Sequence, residues 1–227
     1  MTCVGFVCSL LVAGVFVVAQ EKSEDNPARA VKEPALRTEL LDREKEDQSA
    51  RAAVVKWMQG KRIDGQAITD PKLVKEFTEI NRSVQAADLK NTQRLKEIVA
   101  KYGWPGTTLV GPDGAKAAWL LLQHADRDLA FQKECLALMR AMPAGEVEPK
   151  SIAYLTDRTL TAEKKKQLYG TQLVPTPEGD WQPLPIEDEA NVDQRRATVG
   201  LEPLKEYLAR VRHEFSKEKN KKTDNDP

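Results

Sequence analysis

Three long segments of this chain repeat apolar residues at helical spacing. Each interrupts its apolar face near the middle with a polar pair: Asp47/Arg51, Asp88/Asn91 and His124/Asp128. Burying such groups costs roughly 2–7 kcal/mol apiece unless they find partners. A fold for this chain must therefore bring the pairs to one another or to a ligand.

The first stripe is Leu36, Leu40, Val54, Val55 and Met58, with Glu44 beside Asp47 and Arg51, and Gly60 closing it. Asp70-Pro71 reads as an N-cap followed by proline at the first helical position. Leu73, Phe77, Ile80, Val84, Leu95, Ile98 and Tyr102 follow at helical spacing up to Gly103. The third stripe predicts one helix over residues 115–142, in which Leu121, Phe131, Cys135, Leu138 and Met142 share a side with His124 and Asp128. Asp126, Lys133 and Glu134 point away from that side. At a spacing of four residues His124 and Asp128 can meet, and Asp128 is expected to orient the imidazole. Antiparallel neighbours would set the three pairs at one height, as a single polar layer in an apolar bundle.

Residues 103–106 and 111–114 read as turns, with a short extended piece at 107–110 between them. Shorter helices are expected over 149–158, 162–169, 191–199 and 203–215. Segments 171–176 and 181–184 suggest a hairpin, which Pro175, Pro183 and Pro185 confine to an edge. The expected fold is all-α: a single helical-bundle-like domain, residues 35–215, of three long and several short helices with a minor β-hairpin. A charged, structureless tail, residues 216–227, follows it.

The first twenty residues contain no Asp, Glu, Lys or Arg and run apolar from Val4 to Ala19, ending Val17-Val18-Ala19 before Gln20. That run suits a signal peptide, residues 1–19, and is short for a span, which needs about 20 residues. Residues 20–34 then read as a polar linker. The expectation is export to a periplasmic or secreted location with no membrane span left after cleavage; a retained N-terminal anchor is the alternative. Cys3 and Cys8 would leave with the segment, so Cys135 alone could form no intramolecular disulfide.

Lys+Arg and Asp+Glu balance at 35 each, and no basic stripe of the kind a nucleic-acid surface needs is present. HExxH, G-x-S-x-G and phosphate-loop motifs are missing, and no cofactor is indicated. What chemistry there is rests on the polar layer. One reading makes His124 a general base or ligand oriented by Asp128, with Asp47 and Asp88 supplying negative charge and Arg51 and Asn91 holding a small polar molecule. Glu44, Asp47, Asp88 and Asp128 outnumber Arg51, so a divalent cation is a second reading. A third is a closed network that only fixes helix register, in a non-catalytic envelope or scaffold module. Trp119, Ala130 and Ala137, opposite the polar pair on the third helix, would then offer a partner surface.

Gly103-Trp104-Pro105-Gly106, the run from Ala118 to Asp126, Ala153-Tyr154-Leu155-Thr156-Asp157-Arg158, Tyr169-Gly170-Thr171-Gln172 and Val192-Asp193-Gln194-Arg195-Arg196 occur in that order. In these motifs the chain resembles a bacterial family catalogued only as a domain of unknown function. The resemblance implies no activity or cofactor. It directs attention to a second polar group, Asp157, Arg158, Tyr169, Gln172, Asp193, Arg195 and Arg196, around short helices and turns. There the two arginines could bind a carboxylate or phosphate.

Overall fold

The computed structural model describes residues 31–61, 69–176 and 180–220. The expected signal peptide, residues 20–30 of the linker and residues 221–227 of the tail lie outside them. Helices α1 (Pro34–Gly60) and α2 (Pro71–Tyr102) form where the first two stripes predict them. Both open on proline, whose missing N–H has no partner to lose in the first turn. Asp70 caps α2 by accepting from the Lys72 amide at 2.7 Å. The end of the expected linker is tied down: the Glu33 amide donates to Leu109 O at 2.9 Å.

Helix α3 (Thr107–Gln123) replaces the expected extended piece and second turn. Gly111, at φ 75° and ψ 166°, kinks it, and Pro112 restarts the helix beyond the kink. Asp113 secures the restart by accepting from the Gly114 amide and from both arms of Arg37 on α1. The Glu146 carboxylate takes the Thr108 amide at 2.8 Å, placing negative charge at the start of α3.

The long third helix expected over 115–142 is two helices. The chain leaves α3 at His124, turns, and begins α4 (Leu129–Ala141) at Asp128, whose carboxylate accepts from the Phe131 amide at 3.1 Å. The buried Gln132 side chain donates to Leu122 O at 3.1 Å, joining the Ala125 amide on that carbonyl. A cap on each side of the turn makes the break stable.

Helix α5 (Pro149–Ala162) packs on α4. The expected helix over 162–169 does not form. Lys164 turns at φ 60°, and the Leu168, Tyr169 and Thr171 amides all donate to Asp157 instead of to a helical ladder. Strands β1 (Leu173–Pro175) and β2 (Trp181–Pro183) pair antiparallel with Val174 opposite Gln182. A 3-10 turn, α6 (Val192–Thr198) and α7 (Leu204–Asn220) complete the chain. Helix α7 runs past the expected boundary at 215, as its Lys/Glu composition favours. The fold is all-α with a minor hairpin. No helix among the described residues is long and apolar enough to cross a membrane.

Two apolar clusters flank a polar level in the α1–α2–α3 bundle. The larger contains Leu36, Leu40, Leu95, Ile98, Leu121, Leu122, Phe131 and Leu155. The smaller contains Val54, Phe77 and Val84, with Trp57 packed against it. Each such side chain contributes about 1.5–3 kcal/mol on burial. On α1, Asp47 and Arg51 fall between Leu40 and Val54, so the charged groups lie at the seam of the two clusters.

Candidate functional site

At that seam Asp47 and Arg51 from α1, Asp88 from α2 and His124 from the end of α3 meet. Arg51 is the hub. Its Nε donates toward the Asp47 carboxylate at 3.2 Å and lies 3.1 Å from His124 Nδ1, while its Nη2 binds the Asp88 carboxylate. Asp47 also lies 3.0 Å from His124 Nδ1 and accepts from Gln48 Nε2 at 2.9 Å. One carboxylate oxygen of each aspartate and one imidazole nitrogen all lie within 4.8 Å of one another. These three residues are the group with metal-ligand chemistry among the described residues.

Burial is uneven across the cluster. The side chains of Asp47 and His124 are 1% and 2% exposed, Arg51 11%, and Asp88 23%. Asp88 is therefore the member through which solvent reaches the others. Burial pushes its carboxyl up to about 7, helped by the charges of Asp47 and Asp126 and opposed by Arg51 and Arg158. Burial lowers the basicity of His124, more than its contact with Asp47 raises it, so the imidazole is neutral near pH 7. Burial alone would raise Asp47, but His124 and Arg51 outweigh it and keep the carboxylate ionised.

The imidazole sits between opposed demands. Asp47 calls for a proton on Nδ1, and Arg51 calls for a lone pair there. In either tautomer Nε2 is buried with no hydrogen-bond partner, and so are both amide atoms of neighbouring Gln123. Buried polar atoms are nearly always paired, so three orphans on consecutive residues mark this turn as exceptional.

Three members of the expected layer are elsewhere. Asp128 caps α4 and binds Lys96 at 2.5 Å, so Asp47 and not Asp128 is the carboxylate at the imidazole. The break in the helix, which turns Asp128 out of line, is the cause. Asn91 is buried but accepts from Arg43, within a separate chain of ion pairs through Glu39 to Arg94. Glu44 feels chiefly burial and then Lys116. Asp126, expected to face away, takes both arms of Arg158 at 2.7 Å. Burial would raise it, but Arg158 holds it ionised. Asp126, Gln123 and Gln132 are the residues a continuous-helix reading misses; the signal for them is an N-capping Asp128 directly before the apolar Leu129.

The second polar group divides in two. Arg158 reaches the cluster's edge through Asp126 and donates to Gln172 at 3.4 Å. The rest serve the backbone. Asp157, fully buried, accepts from Leu168, Tyr169 and Thr171 amides and from the Thr171 hydroxyl. Arg195 donates to Leu168 O and Glu187 O, and Arg196 to Glu202 O and Tyr169 O. Tyr169 contributes its backbone to this clamp. Arg195 and Arg196 lie in the last turn of α6, and the carbonyls that engage them belong to other segments. Trp119, expected on an outer face, is buried against α5, donating to Ser151 O at 3.0 Å and standing edge-on to Tyr154. Ala130 and Ala137 are exposed on α4, beyond the break, and do not share its surface.

No curated protein and no solved structure matches the chain. A model of a family of unknown function, DUF6624, matches residues 34–219, which spans every element from α1 into α7, and the chain belongs to that family.

Proposed function

We propose that the chain binds a small polar ligand at the Asp47–Arg51–Asp88–His124 cluster, with Asp126, Arg158 and Gln172 at its edge. The observation that carries this reading is the partnerless Nε2 of His124, buried inside a cluster whose other members are bonded. A network serving only as scaffold is favoured by the bonds from Arg51 to Asp47, Asp88 and His124, but it leaves Nε2 and the Gln123 amide unexplained. Polar networks add rigidity when every member is satisfied.

The cluster has two proton carriers. His124 can hold its proton on either nitrogen, and Asp88 exchanges one near neutral pH. Acid–base chemistry on a small polar molecule, of hydrolase or lyase type, fits these groups. The apolar run in residues 1–19 supports export of the domain.

The test replaces His124 with Gln and follows thermal unfolding against a panel of sugars, amino acids and small carboxylic acids. A compound that raises the melting temperature of the wild type is expected to have no effect on H124Q. If it shifts a stably folded H124Q equally, His124 is not part of the binding centre.

A further inference from the structure

We infer that the ligand of this cluster is a divalent transition-metal ion of the zinc class, held by Asp47, Asp88 and His124 in exchange for the Arg51 guanidinium. The inference rests on the reading that the cluster is a ligand site, and it names the ligand.

The donor atoms come from three separate helices yet lie within 4.8 Å of one another. Around an ion bound at 2.0–2.2 Å, tetrahedral ligands stand roughly 3.4 Å apart, so from at most 4.8 Å an approach of about 1.4 Å between donors suffices. All three donors already surround a cation. Arg51 binds the Asp88 carboxylate, the Asp47 carboxylate and the edge of the imidazole, and among the described residues it has no hydrogen-bond partner outside this set. Its withdrawal therefore breaks no other bond. As a long side chain beside the partly exposed Asp88, it has solvent to move into.

Charge favours the exchange. With both carboxylates ionised, as ligation requires, two carboxylates and a neutral imidazole present two negative charges, of which a guanidinium balances one and a divalent ion both. The donor types set the class, because mixed imidazole and carboxylate ligands suit zinc, cobalt, nickel or manganese, whereas calcium and magnesium prefer oxygen alone. Gln48, donating to Asp47 at 2.9 Å, supplies the kind of outer contact that orients a ligating carboxylate.

The full chain, stripped with chelator, is titrated with Co²⁺ and read by its visible absorption, then competed with Zn²⁺. The wild type is expected to bind. D88N, which alters the most exposed ligand, is expected to bind at least about tenfold more weakly, the lower end of what even outer contacts are worth. The deciding variant is R51M. Without the resident guanidinium it is expected to bind Zn²⁺ at least tenfold more tightly than the wild type, and Zn²⁺ is expected to restore the thermal stability it loses. R51M that is destabilised and not restored by Zn²⁺ overturns the inference. So does Co²⁺ binding that is equal in wild type and D88N, or binding by R51M and not by the wild type. Should no metal bind while a panel compound shifts the wild type and not H124Q, the metal assignment falls and the ligand site stands.

Discussion

The cluster around Arg51 and the clamp around Asp157 are both buried, charged and built from separated segments, yet they spend their polar atoms differently. Asp157, Arg195 and Arg196 bond to main-chain amides and carbonyls of residues 168–202. Asp47, Arg51, Asp88 and His124 bond to one another's side chains; each region leaves one buried nitrogen over, His124 Nε2 here and Arg196 Nη2 in the clamp. A side chain that satisfies backbone fixes the path of the chain, because those groups must be paired whatever the protein does. Side chains that satisfy each other can trade partners without unfolding anything. The clamp is architecture, and the cluster is available for chemistry.

The largest effect that could break this contrast is D157A. It would strand three amides and a hydroxyl in the interior, and at 1 kcal/mol or more for each the loss is at least about 4 kcal/mol in chemical denaturation. A loss below about 1 kcal/mol would mean the clamp does not hold the 164–172 turn.

The next is pH dependence. Asp88 has its folded carboxyl raised from 3.8 to about 7, so its protonated form favours the folded state and its ionised form opposes it. Stability from this group is full below pH 4 and is lost as pH rises toward and through 7. At 1.36 kcal/mol per unit this amounts to roughly 4 kcal/mol. Denaturation of wild type and D88N from pH 4 to 8 should show the wild type falling relative to the variant; parallel profiles would place Asp88 outside the cluster's electrostatics.

The smallest effect separates the two carboxylates once in contention for His124. D128A removes the α4 cap at about 1 kcal/mol and should leave the His124 titration, followed by NMR, where it was. A shifted titration would reinstate Asp128 as its partner.

How much of this was legible in the sequence differs between the same two regions. The stripes of α1 and α2 are long and regular, and they placed Asp47, Arg51 and Asp88 at one level correctly. The His124–Asp128 pairing failed because a 3.6-residue pattern continues across the turn at 124–128: Leu121 and Phe131 fall on one side of an ideal helix whether or not the chain bends between them. Only the capping chemistry of Asp128 and Gln132 reveals the bend, and Gln132 acts through tertiary contact. The clamp was harder still. Residues 162–169 have helical composition, and what overrides it is a carboxylate one turn before the end of α5. Gly170 belongs to the same override. At φ 70° it passes so close to Ile186 and Leu204 that a Cβ would stand 2.9 and 3.0 Å from their methyl groups.

The seam between the two apolar clusters has one more effect, on how α1 can lie against its neighbours. Leucine and valine tolerate sliding, since a helix shifted by one turn, about 5.4 Å, offers much the same greasy face. Charges do not. Displaced by a turn so that Asp47 takes the place of Arg51, α1 would set the Asp47 and Asp88 carboxylates against each other and carry the guanidinium about 5.4 Å away. The four side chains thus act as a key cut for one position, and the proposed ligand would inherit that alignment.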